Sequence, residues 1–505
     1  MKYIRWILAA GMAFALQQGS GRGQDSSPNA DEIKVLLKRI EDLEQKVKQL
    51  EESKSAGTNA ADTRLQELDQ KVKGLEKNRE FDQAEAQKKT KAAPVISVGG
   101  EGFTLNSANG DFKLQLKGLL QVDSRTFFND TGIAGNDTFL IRRMRPIFQG
   151  SVFKDFDFLV VPDFGGSSGP QLFDAYVNYR YNAAFQLQAG KYKMPVGLEM
   201  LQPDNSTWFN ERSLATDLVP NRDVGIEMHG DLWDGAVSYA AGIFNGVGDA
   251  RNSSNADFED DKAFAGRVFF QPFKSSSLAG VQGLGFGLAG SYESMQKTNT
   301  AGLPATTGGT LGGFTTDGQQ QFFAYNPASN AVVVASGEHW RLSPQTYHSW
   351  GPFALMGEYV ISNQKVTRTV TAPFTSARLE HTAWEISGSW ILTGEDSLYG
   401  SVINPRNPFK LVEGGWGAWQ LVARYAELEV DRAAFPLFSD PRTSAHIASS
   451  WSVGLNWYLN RNFCLKSSYS HTYFSGGGIG TRLTAPAAVS ARDESVLFTR
   501  LQLYF

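Results

Sequence analysis

The sequence predicts an all-β fold, a transmembrane antiparallel β-barrel of about 16 strands, preceded by an N-terminal α-helical coiled coil. Three observations carry this reading. Over residues 103–505, segments of roughly ten residues alternate apolar with polar side chains, and Gly, Asn, Asp or Ser turns separate them. Ile33, Leu36, Ile40, Leu43, Val47 and Leu50 recur at spacings of 3, 4, 3, 4 and 3, a heptad seam flanked by Glu and Lys. Beyond residue 23 no run is long and apolar enough to cross a bilayer as a helix, and mean hydropathy is −0.29. A barrel needs no such run, because lipid-facing and lumen-facing residues alternate.

The elements follow in order. Residues 1–23 read as a secretory signal peptide: Lys2 and Arg5 are positive, residues 6–16 are apolar, and Ala13-Phe14-Ala15 is a small-x-small cleavage site. That apolar stretch is shorter than the ~20 residues a spanning helix needs. Residues 28–90 form the coiled-coil region. Gly57 and small residues interrupt its seam, and Leu65, Leu68, Val72 and Leu75 resume it in a shifted register. A single amphipathic helix on the chain's own body would show a related pattern, but the narrow seam and the charge around it favour the coiled coil. A linker over 91–102, containing Pro94, leads into the barrel domain at 103–505.

In that domain Phe112, Leu114, Leu116, Leu120 and Val122 oppose Lys113, Gln115, Lys117, Gln121 and Asp123. Trp384, Ile386 and Trp390 alternate with Glu385, Ser387 and Ser389, and Leu455, Trp457 and Leu459 with Asn456 and Tyr458. The last strand puts Leu497, Thr499, Leu501, Leu503 and Phe505 on one face and Arg500 and Gln502 on the other. Some 400 residues at roughly 25 per strand and loop give ~16 strands around a watery lumen. Aromatic residues make up 12% of the chain, enough for girdles at both interfaces. Two stretches break the alternation. The Gly/Thr-rich residues 298–321 read as a long external loop. Residues 203–218 read as a non-strand segment that narrows the lumen, with Ser206 capping a short helix running to Leu214.

Composition excludes several classes. One cysteine, Cys464, leaves no intrachain disulfide. A net charge of −4 and a pI near 6.0 argue against nucleic-acid binding. Gly165-Gly166-Ser167-Ser168-Gly169 matches a nucleophile elbow but lacks its strand–turn–helix context. Gly285 to Gly290 matches G-x-G-x-x-G with no βαβ unit after it. The six histidines are scattered, so no metal site and no cofactor are expected.

The informative constellation is basic. Arg142, Arg143 and Arg145 fall in one candidate strand over 139–152, with Arg143 and Arg145 on one face and Arg142 on the other. Lys191 and Lys193 share a face of residues 188–195, and Lys113 and Lys117 face the lumen of the first strand. Arg212 and Arg222 bracket a segment that begins at Glu211 and ends at Asp223. Guanidinium and ammonium groups in a water-filled lumen select anions, and a generic polar wall would carry some of them too.

The final alternating strand ending in Phe505 resembles the assembly signal of bacterial outer-membrane barrels. Residues 139–145 (FLIRRMR), 173–179 (FDAYVNY) and 190–199 (GKYKMPVGLE) resemble stretches of the phosphate-selective porins of the O and P type. So do Glu211-Arg212-Ser213, residues 219–225 (VPNRDVG), 417–425 (GAWQLVARY) and 453–458 (VGLNWY). The resemblance implies a 16-stranded, usually trimeric barrel whose positively charged channel passes phosphate or related anions. It implies lumen-side anion contacts at Arg142, Arg143, Lys191 and Lys193. Arg212 and Arg222 are left between that role and pairing with Glu211 and Asp223 to brace a loop. Leu119 and Leu120 stand where another basic contact is expected in strongly phosphate-selective members. The expected partners are therefore outer-membrane lipid, small anions such as phosphate or polyphosphate and two further copies of the chain, with peptidoglycan contacted through a periplasmic coiled coil. The alternatives are a structural tether of the envelope, a non-selective general porin and, with no supporting Ser/His/Asp set, a barrel enzyme.

Overall fold

The computed structural model describes residues 38–39, 41–49, 59–128, 135–166, 169–255, 257, 260–295, 311–326, 331–369, 374–477 and 492–505. The signal peptide, the start of the heptad region and residues 298–310 of the expected external loop lie outside them. The chain divides into two units, 1–93 and 94–505. In the first, Asn59–Ala92 is one continuous helix of 34 residues. Among its described side chains Leu65, Leu68, Val72, Leu75 and Arg79 are partly shielded and most of the rest are exposed.

The second unit is the barrel. It opens with a short hairpin, β1 (Val95–Gly99) and β2 (Gly102–Asn106). The wall then runs through β3 (Phe112–Phe128), β4 (Thr138–Val152), β5 (Phe156–Asp163), β6 (Gln171–Asn182), β7 (Phe185–Lys193), β8 (Arg222–Leu232), β9 (Val237–Phe244), β10 (Ala263–Phe270) and β11 (Gly285–Met295). An inner hairpin follows, β12 (Phe314–Thr315) and β13 (Gln321–Phe323). The wall resumes with β14 (Val332–Trp350), β15 (Phe353–Thr369), β16 (Thr375–Ile391), β17 (Ala418–Glu429), β18 (Ile447–Tyr458), β19 (Phe463–Ser475) and β20 (Asp493–Tyr504). Every wall strand pairs antiparallel with its neighbours, and β20 pairs with β3 from Tyr504↔Leu119 to Ser495↔Phe128. The wall is thus a closed 16-stranded barrel. Closure removes the unpaired edges that lipid could not satisfy. Below this seam β2 takes over the free part of β3, from Phe103↔Leu116 to Asn106↔Lys113.

Side chains obey the period of two. On β20 Leu497 and Leu501 are exposed on the outer face, while Val496, Phe498, Arg500 and Gln502 are buried inside. Ile386 and Trp390 face out; Glu385, Ser387 and Ser389 face in. The terminal Phe505 completes the seam: its amide donates to Gly118 O at 3.1 Å, and Gly118 N donates to Phe505 O at 2.9 Å.

One departure matters for the lumen. The β3–β4 register shifts between Gln121↔Arg143 and Val122↔Ile141, a bulge that leaves Arg142 extra. Ile141 is half exposed to the outside, whereas Arg143 and Arg145 are buried within. Arg142 turns inward as well, bonding a lumen carboxylate. The expectation that Arg142 faces away from Arg143 and Arg145 is corrected by this one extra residue.

Two loop expectations also change. Ser206 caps no helix: its hydroxyl donates to Pro203 O at 3.1 Å. Residues 203–213 form turns and bends, and the helical turns are Leu198–Leu201 and the 3-10 segment Leu214–Leu218. A run holding Pro203 and several side chains that bond the backbone locally competes against a regular helix. The described part of the stretch read as external, residues 311–321, lies inside the barrel: Phe314 is buried in its core.

Gly190 lies within β7 at φ +135°, and a Cβ there would sit 2.2 Å from Ala175 O. Gly190→Val is expected to disrupt the β6–β7 pairing at Tyr176↔Gly190 and cost at least about 2 kcal/mol. The denaturant midpoint of the refolded barrel measures it.

Candidate functional site

Two segments enter the lumen from the barrel end opposite Phe505. The first, residues 194–221, joins β7 to β8 and is almost wholly buried. Irregular backbone survives inside a barrel only where side chains satisfy it. Here inward-facing wall residues do so. Gln121 Nε2 donates to Asp204 O at 3.0 Å, Gln502 to Asn205 O at 2.9 Å and Asn456 to Trp208 O at 2.8 Å. Glu358 accepts from the amides of Leu198 and Glu199 at 2.8 and 3.3 Å.

The second is the β12–β13 hairpin. Phe314, Phe322 and Phe323 pack with Leu214 and Leu218 of the first segment and with Val360 and Leu379 of the wall, filling part of the lumen with apolar core. Its turn is fixed by charge. Asp317 pairs with Arg424 at 3.0 Å, and Glu494 accepts from Thr316 Oγ1 at 3.0 Å and Gly318 N at 3.2 Å. Each buried Phe contributes about 1.5–3 kcal/mol. The double variant Phe322→Ala/Phe323→Ala is expected to loosen the hairpin and raise single-channel conductance, which a planar-bilayer recording reads directly.

Between β4, the first segment and the hairpin remains a polar cavity of about 430 Å³. Among the described residues its lining holds six arginines (142, 143, 145, 212, 222 and 251) and four carboxylates. Three of those carboxylates, Asp204, Glu211 and Asp217, belong to the inner segment, and the first two each sit in a cage of guanidiniums.

Asp204 is the first. Arg212 approaches its Oδ1 at 2.7 Å; Arg143 and Arg222 approach Oδ2 at 3.6 and 3.8 Å, and Arg145 also bonds Oδ2. Arg145 pairs in addition with Asp163 at 2.6 Å, and Arg222 with Asp174 at 3.0 and 3.3 Å. The Phe173 ring lies between these two guanidiniums, with centroid distances of 4.2 Å to Arg145 and 4.5 Å to Arg222. Burial alone would push the Asp204 carboxyl up, but Arg143, Arg212 and Arg145 hold it well below the usual carboxylate range.

Glu211 is the second. Arg142 grips it with both arms of its fork at 2.6 and 3.0 Å, Arg125 adds a bond at 3.1 Å and Arg500 one at 3.4 Å. Against its burial, Arg142 above all keeps Glu211 ionised. Arg500 is itself paired with Asp123 at 2.6 and 2.7 Å, both side chains fully buried at the β20–β3 seam.

The fold therefore brings together Arg142, Arg143, Arg145, Arg212, Arg222 and Glu211. The bracing pairs differ from those expected: Arg212 takes Asp204 and Arg222 takes Asp174, neither Glu211 nor Asp223. Asp223 instead accepts from the amides of Val224 and Gly246 at 2.7 Å each. Lys193 lies beside the cage, donating to Gln202 O at 2.6 Å, the carbonyl that also accepts from Arg212 at 2.8 Å. Lys191 is drawn away, to Ser253 O at 2.7 Å and Asn255 at 3.1 Å. Lys117 pairs with Glu101 at 3.2 Å near the β1–β2 hairpin, and Lys113 is exposed; neither lines the cavity.

Sequence reasoning missed Arg125, Asp163, Asp174 and Asp204 as parts of the site. The alternation carried Arg125, since it continues the inward series Gln121 and Asp123. Nothing in the sequence marked Asp204, whose carboxylate partners come from two strands and its own segment.

A family model described as phosphate-selective porin O and P matches residues 113–505. No curated relative matches the chain. Among solved structures, the chain is similar to the outer-membrane channel DcaP of Acinetobacter baumannii at 10% identity, over 78% of this chain and 97% of that one, with TM-score 0.48. It is similar to OmpT of Vibrio cholerae in its trimer form at 10% identity, over 78% and 99%, with TM-score 0.46. The complex of Salmonella typhi OmpF with daunomycin is similar at 12% identity, over 79% and 99%, with TM-score 0.45.

Proposed function

Because this chain belongs to the phosphate-selective porin O and P family, an outer-membrane channel family, we propose that it is a passive diffusion channel that prefers anions, with phosphate or polyphosphate as the favoured solute. The observation that carries the reading is the convergence of six arginines on the one polar cavity left between β4 and the inner segments. Fixed positive charge along a solute's path lowers the barrier for anions and raises it for cations. Arg142, Arg143 and Arg145 form the anion-facing wall, Arg212 and Arg222 face them, and Lys193 adds charge behind. Lys191, Lys113 and Lys117 contribute to the field along the path rather than to the constriction.

In this reading residues 1–23 are removed on export and the helical region lies in the periplasm. Its heptad seam joins three copies, giving a trimer. A second role has its own observation: the helix Asn59–Ala92 has a charged surface and a narrow seam, the form of a spacer that reaches peptidoglycan or a partner. Deletion of residues 28–90 separates the roles. Tethering predicts a weakened envelope with conductance intact.

The deciding experiment is reversal potential in a planar bilayer under a KCl gradient, followed by phosphate titration. Chloride preference with block by low phosphate supports a phosphate-binding anion pore. Chloride preference without block leaves a general anion porin, and cation preference overturns the reading.

A further inference from the structure

The strongest field in the lumen is already occupied by part of the protein. Four guanidiniums, from Arg143, Arg145, Arg212 and Arg222, converge on the single carboxylate of Asp204. Asp163 and Asp174 neutralise two of them from the side. Asp204 does not belong to the wall. It is carried in by the inner segment, and its two oxygens meet the guanidinium forks as a free oxyanion would. The cage is incompletely used: Arg143 Nε is buried with no hydrogen-bond partner among the described residues, 3.6 Å from Asp204 Oδ2. The same residues border the polar cavity.

A channel site must bind well enough to admit its ion and weakly enough to release it. Four clustered guanidiniums without an internal partner would hold a divalent oxyanion tightly, because each charge at contact distance acts through a partly desolvated medium. We propose that Asp204 is a tethered counter-anion. Its carboxylate stands where a phosphate-like oxyanion would meet the four guanidiniums, competes with it for the same donors, and thereby sets how quickly the ion leaves. This rests on the anion-channel reading and adds to it the residue that tunes affinity. The neighbouring carboxylate, Glu211, plays the lesser part, since Arg142 grips it with both arms.

The proposal makes an unusual prediction: removing an acidic residue strengthens the block. In purified full-length protein, Asp204→Asn is expected to lower the inorganic phosphate concentration that halves the KCl current by on the order of tenfold or more. The reversal potential should move further toward chloride. Asp204→Glu keeps the charge and should stay within about threefold of the parent. Asp204→Asn/Arg212→Gln removes one charge of each sign. It should return the block to near the parent value, and it keeps the test available should the single variant fail to fold. An unchanged or weaker block in Asp204→Asn overturns the proposal. So does an Asp204→Glu channel that behaves like Asp204→Asn, which would make the effect one of shape. A double variant that retains the strong block also overturns it. A cation-selective parent would sink the anion-channel reading by itself, whereas these comparisons are made relative to the parent and judge Asp204 separately.

Discussion

Asp123→Ala should leave a barrel that unfolds much more readily, or fails to close. Asp123 on β3 and Arg500 on β20 form a two-bond ion pair with both side chains fully buried, across the seam where the last strand meets the first. Removing one partner strands a guanidinium beside Arg125, whose own carboxylate, Glu211, is already shared three ways. Breaking such a pair costs roughly 3–5 kcal/mol, most of it the penalty of an uncompensated buried charge. The double variant Asp123→Ala/Arg500→Met removes both charges and should recover much of the loss. Urea midpoints of the folded barrel in detergent, or the heat at which it loses its compact form on a gel, measure both variants. Equal stability of Asp123→Ala and the parent would refute the account of how the seam is held.

The second large effect concerns selectivity. Arg142→Gln/Arg143→Gln takes two of six arginines from the constriction and leaves four carboxylates facing four guanidiniums. The anion preference proposed for the parent should then fall roughly tenfold or more in chloride-to-potassium permeability ratio, since a unit charge near 4 Å acts with about 1–4 kcal/mol at intermediate dielectric. The change should be largest at low salt, where screening is weakest. Arg142→Lys keeps the charge but loses the two-armed grip on Glu211. It should preserve the ratio while altering conductance through a less firmly held inner segment. A ratio that survives the double neutralisation would move the selectivity away from this cavity.

Much of the barrel was legible because alternation is local. Each strand's period of two reports which side chains meet lipid, and the inward placement of Arg500, Glu385 and Asn456 follows from it. The arginine wall was legible as composition, three guanidiniums within four residues. Its facing was not: one extra residue at the β3–β4 bulge turned Ile141 outward and brought all three arginines to the lumen. Bulges arise from how two strands match, which neither strand states alone.

The inner segments were the least readable. The 203–218 stretch was seen as an inward, non-strand element, but its helix was expected at Ser206, and the ion pairs weighed for Arg212 and Arg222 were with sequence neighbours. In the fold Asp204 finds Arg143 and Arg145 some sixty residues away, and the hairpin around Phe314 turned a polar-looking loop into lumen core.

The sequence by itself determined the barrel, its strand number of about 16, the face each side chain presents away from bulges, and the cluster of arginines on one early strand. These follow from short-range periodicity and covalent geometry. Only the tertiary structure decided which carboxylate answers which guanidinium, and hence how much positive charge remains for a passing ion. Coulomb energy depends on distance in space, and the closing of a barrel sets those distances between residues that the chain keeps far apart.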